Sequence, residues 1–189
     1  MLGKTHITFA LALSAFGAVG FSVLTHTPLN AKDLSVFYGA VTLGALFPDI
    51  DEPSSTLGKK TLGISNAIKA LFGHRGLTHS IAFIVGIGIL LLFLSTFSTG
   101  MLREIPLLNL EAVLEIFIFG FLLGCVLHLI GDMLTLSGVP LFLPFSAKPL
   151  HLTPAFLRFK TGGIFDYALG ILNAGIFVVL NAWYLGLYF

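Results

Sequence analysis

The chain has 189 residues, of which 56% are hydrophobic and 10% charged, with a net charge of +1. Soluble domains carry roughly 25% charged residues, so this composition, with a mean hydropathy of +0.98, excludes an ordinary water-soluble domain. A near-neutral chain also lacks the basic field that would draw in nucleic acid.

Gaps between charges mark the membrane spans in chain order. Thr5 to Ala31 carries no Asp, Glu, Lys or Arg and has an apolar core from Ile7 to Leu24. The segment Met1–Val19 has the outline of a secretory signal, but its single Lys4 and its His6 favour a retained span. Leu34–Pro48 is a second, shorter uncharged run. Ser80–Leu102, Ile116–Gly131 and Tyr167–Phe189 follow. About 20 apolar residues cross the hydrocarbon as a helix, so the first, third and fifth runs suffice and the second and fourth are short. The expected fold is all-α: one membrane domain over residues 1–189, a polytopic bundle of about five transmembrane helices. Two loops punctuate it. The stretch from Asp49 to His79 turns amphipathic between Leu62 and Phe72, which predicts a short interfacial helix. The stretch from Leu134 to Gly163 is rich in Pro and Phe, unsuited to regular helix and suited to headgroup level.

With the N-terminus cytoplasmic, five spans place both loops on one side. That side carries Lys4, Lys59, Lys60, Lys69, Arg75, Lys148, Arg158 and Lys160; the other has Lys32 and Arg103. The positive-inside rule favours this orientation. The same orientation brings His6, Asp49, Asp51, His74, His79, His128, Asp132, His151 and Asp166 to the cytoplasmic boundary, and it excludes His26. Single Cys125 reads as a small buried hydrophobe.

Ionisable groups beside lipid must be paired, wet or coordinated. His128 and Asp132, at i and i+4, share a helix face and fit one ion or a mutual hydrogen bond. Asp49 and Asp51 fit a pair of roles, one on metal and one orienting a histidine, or a turn through Asp51–Ser54. His74 and His79 flank a Gly-bounded turn, where Thr78 or Ser80 caps the next helix. Arg75 offers a planar fork for phosphate or serves as an inside anchor. Asp166 complements a helix dipole equally well. Imidazole and carboxylate together suit zinc, with Mn2+ or Mg2+ as alternatives.

Gly-Lys-Thr-His6, Phe-Pro-Asp49-Ile-Asp51-Glu-Pro-Ser-Ser, Phe-Gly-His74-Arg-Gly-Leu-Thr-His79-Ser and His128-Leu-Ile-Gly-Asp132-Met-Leu-Thr resemble the YdjM-like family. The likeness continues through Lys160-Thr-Gly-Gly-Ile-Phe-Asp166, where relatives tend to carry Glu. It implies a bacterial inner-membrane protein of a family described as metal-dependent hydrolases, some members under LexA control. The order of ligands is also similar to zinc-dependent phospholipase C and P1-type nucleases. These resemblances imply a metal site of Asp49 or Asp51, His74 or His79, His128 and Asp132, with His6, His151 and Asp166 as further candidates.

The functional expectation is a membrane-bound metal-dependent hydrolase acting on a phosphoester of a small molecule or lipid through metal-activated water. Asp51 takes the proton and Arg75 stabilises the developing charge. The alternative is a non-catalytic, metal-stabilised membrane scaffold. Transport ranks low, because the spans carry few polar residues at mid-depth. Membrane lipid is the expected partner, and direct nucleic-acid contact is not expected.

Overall fold

The computed structural model describes residues 1–61, 63–72, 76–102 and 110–188. Six α-helices are present among the described residues: α1 (Gly3–Thr25), α2 (Ala31–Leu46), α3 (Ile64–Phe72), α4 (Ile81–Leu102), α5 (Leu110–Met133) and α6 (Ile164–Tyr188). Short 3₁₀ turns at Pro48–Asp51, Gly58–Lys60, Leu77–His79 and Ala155–Leu157 join them. Among the described residues there is no β-strand beyond two isolated bridges.

Among the described residues, four helices are long and apolar enough to cross a membrane: α1, α4, α5 and α6. The second expected span, α2, is the short one. Its 16 residues reach roughly 24 Å at 1.5 Å per residue, against about 30 Å of hydrocarbon. The fourth run differs from expectation. α5 has 24 residues, because the helix starts at Leu110 and takes Glu111 and Glu115 into its first turns. At its other end it continues through Asp132. A carboxylate near a helix end reaches the interface, so charge-free length understates helix length.

The core is α1, α2 and α5. Ala10, Val41, Ala45 and Leu127 form one buried cluster, and Ala40, Phe121 and Cys125 another. Small residues let α2 and α5 touch backbone to backbone, as membrane helices do without a solvent-driven force between them. A Cβ on Gly44 would sit 2.0 Å from the Phe121 carbonyl oxygen, and one on Gly124 2.3 Å from that of Val41. α4 packs on α5 and α6 on α1. Their other faces, with Val85, Ile89, Phe93 and Phe97 on α4 and Ile171, Val178 and Val179 on α6, are exposed and meet lipid.

The helices alternate in direction. The start of α1, the end of α2, the start of α4, the end of α5 and the start of α6 therefore meet at one end, where His6, Asp49, His79, Asp132 and Asp166 lie. At the other end α1 closes at His26 in the left-handed region (φ 54°). There the Tyr184 hydroxyl of α6 bonds Ser22 and the backbone of Leu29, and Tyr38 of α2 donates to Asn181 Oδ1 at 3.0 Å.

A candidate metal centre at one end of the bundle

Pro48 has no N–H with which to continue α2, so the chain tightens into the 3₁₀ turn Pro48–Asp51. That turn carries Asp49 and Asp51 beneath the end of α5. A second 3₁₀ turn, Leu77–His79, delivers His79 just before α4. Ser80 caps α4, its Oγ accepting from the Phe83 N–H at 3.2 Å. Thr78, the other candidate cap, instead donates to Asp51 Oδ2 at 2.8 Å. α5 supplies His128 and Asp132, and the first turn of α1 supplies His6.

These groups converge. His79 Nε2 and His128 Nε2 lie 3.3 Å apart. Asp49 Oδ1 is 3.6 Å from the first and 3.7 Å from the second, and Asp132 Oδ2 is 3.9 Å from each. Four donors around a tetrahedral zinc at about 2.0–2.1 Å stand roughly 3.3–3.4 Å from one another. The donors are therefore of the right chemistry, and the carboxylate–imidazole separations are slightly wider than a bound ion would draw them.

The tautomers fit as well. His128 Nδ1 is 2.7 Å from the carbonyl oxygen of Ala45. A carbonyl only accepts, so Nδ1 carries the proton and Nε2 turns its lone pair to the centre. His79 Nδ1 is 3.5 Å from Asp51 Oδ2 and 3.1 Å from the Thr78 hydroxyl, which leaves its Nε2 facing inward too. Carboxylate and carbonyl partners of this kind set the orientation of metal-bound imidazoles.

A second donor set adjoins the first. Asp132 turns Oδ2 to His79 and His128 but Oδ1 to His6 Nε2, at 3.1 Å. His6 stacks on His128 with ring centroids 3.7 Å apart and shares a possible ligand group with Asp49 and His128. The α-ammonium of Met1 also lies against Asp132 Oδ1, a position that accepts positive charge. Asp49, Asp51 and His79 form a third possible group.

Burial separates the members. The side chains of His6, Asp51, His79, His128 and Asp132 are at most 1% exposed, whereas that of Asp49 is 20% exposed. Burial alone would raise the Asp49 pKa, but His128, His79 and His6 outweigh it and hold the carboxyl well below its usual range. Burial would likewise depress His79. Hydrogen bonds and charge from Asp49, Asp51 and Asp132 overcome this and raise it to about 9.

Other expected residues fall elsewhere. Among the described residues no ligand group includes His151 or Asp166. His151 lies in the long loop, 3.3 Å from the Leu136 carbonyl oxygen. Asp166 is fully buried in the first turn of α6. Its Oδ2 accepts from the Leu2 N–H at 3.0 Å and the Gly162 N–H at 2.8 Å, so it anchors the start of α1. His74 and Arg75 lie outside the described residues. Sequence reasoning missed the Ala45 carbonyl and the Leu2 amide, because backbone atoms leave no mark in residue type. The Thr78 hydroxyl, which sequence offers as a cap, serves Asp51 instead.

A helical membrane bundle with a buried His/Asp centre is the class these features define. The chain belongs to the YdjM inner membrane protein family, which matches residues 1–189, and it is a multi-pass inner-membrane protein. It is 34% identical over 147 residues to the inner membrane protein YdjM of Escherichia coli (strain K12), covering 76% of this chain and 66% of that protein. It is 32% identical over 157 residues to YvsG of Bacillus subtilis (strain 168), covering 80% and 81% of the two chains. The chain thus spans just under two thirds of the length of the first relative. No solved structure matches, so the likeness to phospholipase C and P1-type nucleases has no structural counterpart here.

Proposed function

We propose that the protein is a membrane-bound metal-dependent hydrolase whose substrate is a phosphoester. The supporting observation is the inward-facing set of His79 Nε2, His128 Nε2, Asp49 Oδ1 and Asp132 Oδ2, in which the two imidazoles lie 3.3 Å apart and each carboxylate oxygen lies 3.6–3.9 Å from both of them. These four residues would hold a divalent cation, with zinc suited best by the nitrogen and oxygen donors. Such a cation lowers the pKa of a bound water from about 15.7 toward about 7 and polarises a substrate oxygen.

The chain's own groups divide the remaining work. Asp51 sits on the Nδ1 side of His79, away from the quartet, so its role is to orient that ring rather than to accept the water's proton. Asp49 is the carboxylate that meets solvent, and substrate and proton traffic approach from its side. His6, which forms a possible ligand group with Asp49 and His128 and faces Asp132 Oδ1 at 3.1 Å, would provide a place for a second cation. A two-cation site clamps a phosphoester between attacking and leaving oxygens. The centre's level, at the ends of the spans, suits a lipid headgroup as substrate.

The near-complete burial of four of the five inner residues favours a second reading, a closed metal site that only braces the bundle. A catalytic site keeps an open coordination position; a structural one does not. Elemental analysis of purified protein, paired with phosphodiesterase and phosphatase assays of His128→Ala, tests both. The hydrolase reading expects bound metal and activity in the parent, with both lost in the variant. Full activity in His128→Ala overturns it. Bound metal without activity on lipid or nucleotide phosphoesters leaves the bracing role.

A further inference from the structure

The long loop between α5 and α6 is folded although it has no regular helix beyond one 3₁₀ turn. The Leu152 N–H bonds the Met133 carbonyl at 3.1 Å, closing the end of α5. The Leu136 N–H bonds Phe159 at 3.0 Å, and Val139 and Leu150 exchange bonds at 3.1 and 2.7 Å. The loop is therefore strapped across the same end of the bundle as the metal centre. Arg158 reinforces it by donating from Nε to the Thr153 carbonyl at 3.0 Å.

This fixed frame points its apolar side chains outward. Phe145 is 94% and Phe156 84% exposed, and Phe142, Leu152 and Leu157 are more than half exposed. Large apolar groups held out in this way mark an interaction surface. The charge pattern identifies the partner. Between Asp132 and Asp166 there is no acidic residue, while Lys148, Arg158 and Lys160 are present, and both lysines are exposed. Aromatic groups interleaved with unopposed cations match an anionic lipid surface, with rings at the acyl boundary and cations at the phosphates. A watery surface would not favour the Phe side chains, and an acidic protein surface would not need them.

We propose that the 134–163 loop docks on anionic phospholipid of the leaflet nearest the metal centre, with Phe145 and Phe156 inserted and Lys148, Arg158 and Lys160 on the headgroups. This assignment concerns the loop alone and stands whether or not the centre is catalytic. The test uses the full chain in phosphatidylcholine vesicles containing a minor fraction of phosphatidylglycerol. Phe145→Trp, made in a Trp183→Phe background, reports contact by fluorescence quenching from lipids brominated near the headgroup end of the acyl chain. Phe156→Trp serves as a second reporter.

Brominated phosphatidylglycerol should quench more than brominated phosphatidylcholine at equal mole fraction. The expected enrichment is about fivefold, as one cation near a charged surface confers. Lys148→Gln/Lys160→Gln should reduce that preference several-fold while quenching by phosphatidylcholine persists. Equal quenching by the two lipids overturns the anionic assignment. Quenching by aqueous acrylamide but by neither brominated lipid places the loop in water and overturns docking. Shielding from all three quenchers means that protein, such as a second copy of the chain, covers the surface, and overturns it equally.

Discussion

Asp51 Oδ2 lies 3.5 Å from Nδ1 of His79, whereas Asp49, two residues earlier, faces Nε2 of the same ring at 3.6 Å. Asp51→Asn keeps the size of the side chain beside Thr78 but removes the charge behind Nδ1. Loss of such an outer partner costs about 10–100-fold in metal affinity, and competition with a chromogenic chelator will measure it. Asp49→Asn removes a direct donor and should cost more. His79 supplies a pH signature. In the metal-free protein it keeps its proton up to about 9, whereas ligation needs Nε2 bare. Binding at neutral pH therefore releases a proton, and affinity falls about tenfold for each unit of pH below that value. Calorimetric titration in buffers of different ionisation heat will show the released proton; a pH-independent affinity would remove His79 from the ligand set. Elemental stoichiometry tests the second donor set: two ions per chain in the parent, one in His6→Ala.

At the scale of elements, the contact between α2 and α5 sets the geometry of His128. Gly44 lies against the Phe121 carbonyl, and the next residue, Ala45, presents its own carbonyl to His128 Nδ1. Gly44→Ala would force the helices apart at that point. Overpacking of this kind costs about 1–3 kcal/mol, seen as a lower melting temperature in detergent, and metal retention should fall with it because the Ala45 bond lengthens. The His128/Asp132 pairing was legible from spacing alone, since i and i+4 must share a face. The shortness of α2 was legible from its uncharged length. The true start of α5 was hidden by Glu111 and Glu115, which read as loop charges but ride on a helix at the membrane boundary. The division of labour between Asp49 and Asp51 was also hidden, because residue types do not say which carboxylate a 3₁₀ turn aims inward.

At the scale of the molecule, alternating helices gather the donors at one end, the end where the Lys and Arg bias also lies. The charge bias predicts a cytoplasmic location for that end. Cysteines introduced at Ser55 and Thr161 should react with a membrane-impermeant thiol reagent only after the cells are opened, and one at Lys32 should react in intact cells. Buried Cys125 should stay silent. Labelling at Ser55 and Thr161 in intact cells, with Lys32 reacting only after opening, would invert the topology. His151 shows the limit of reading such a map from sequence: it lies in the loop at the correct end, yet the Leu136 carbonyl holds it away from the centre.

The ties among the helices differ from pole to pole. Near Tyr184, Tyr38 and Asn181 they are ordinary hydrogen bonds that need no cofactor, while at the opposite pole two carboxylates and three imidazoles are crowded together, where the proposed cation would hold them. Stripping the ion should thus loosen the protein like a fan, splayed at one tip and pinned at the other. Amide exchange after chelation would then accelerate around Asp49, His79 and Asp132 and scarcely change around Leu29.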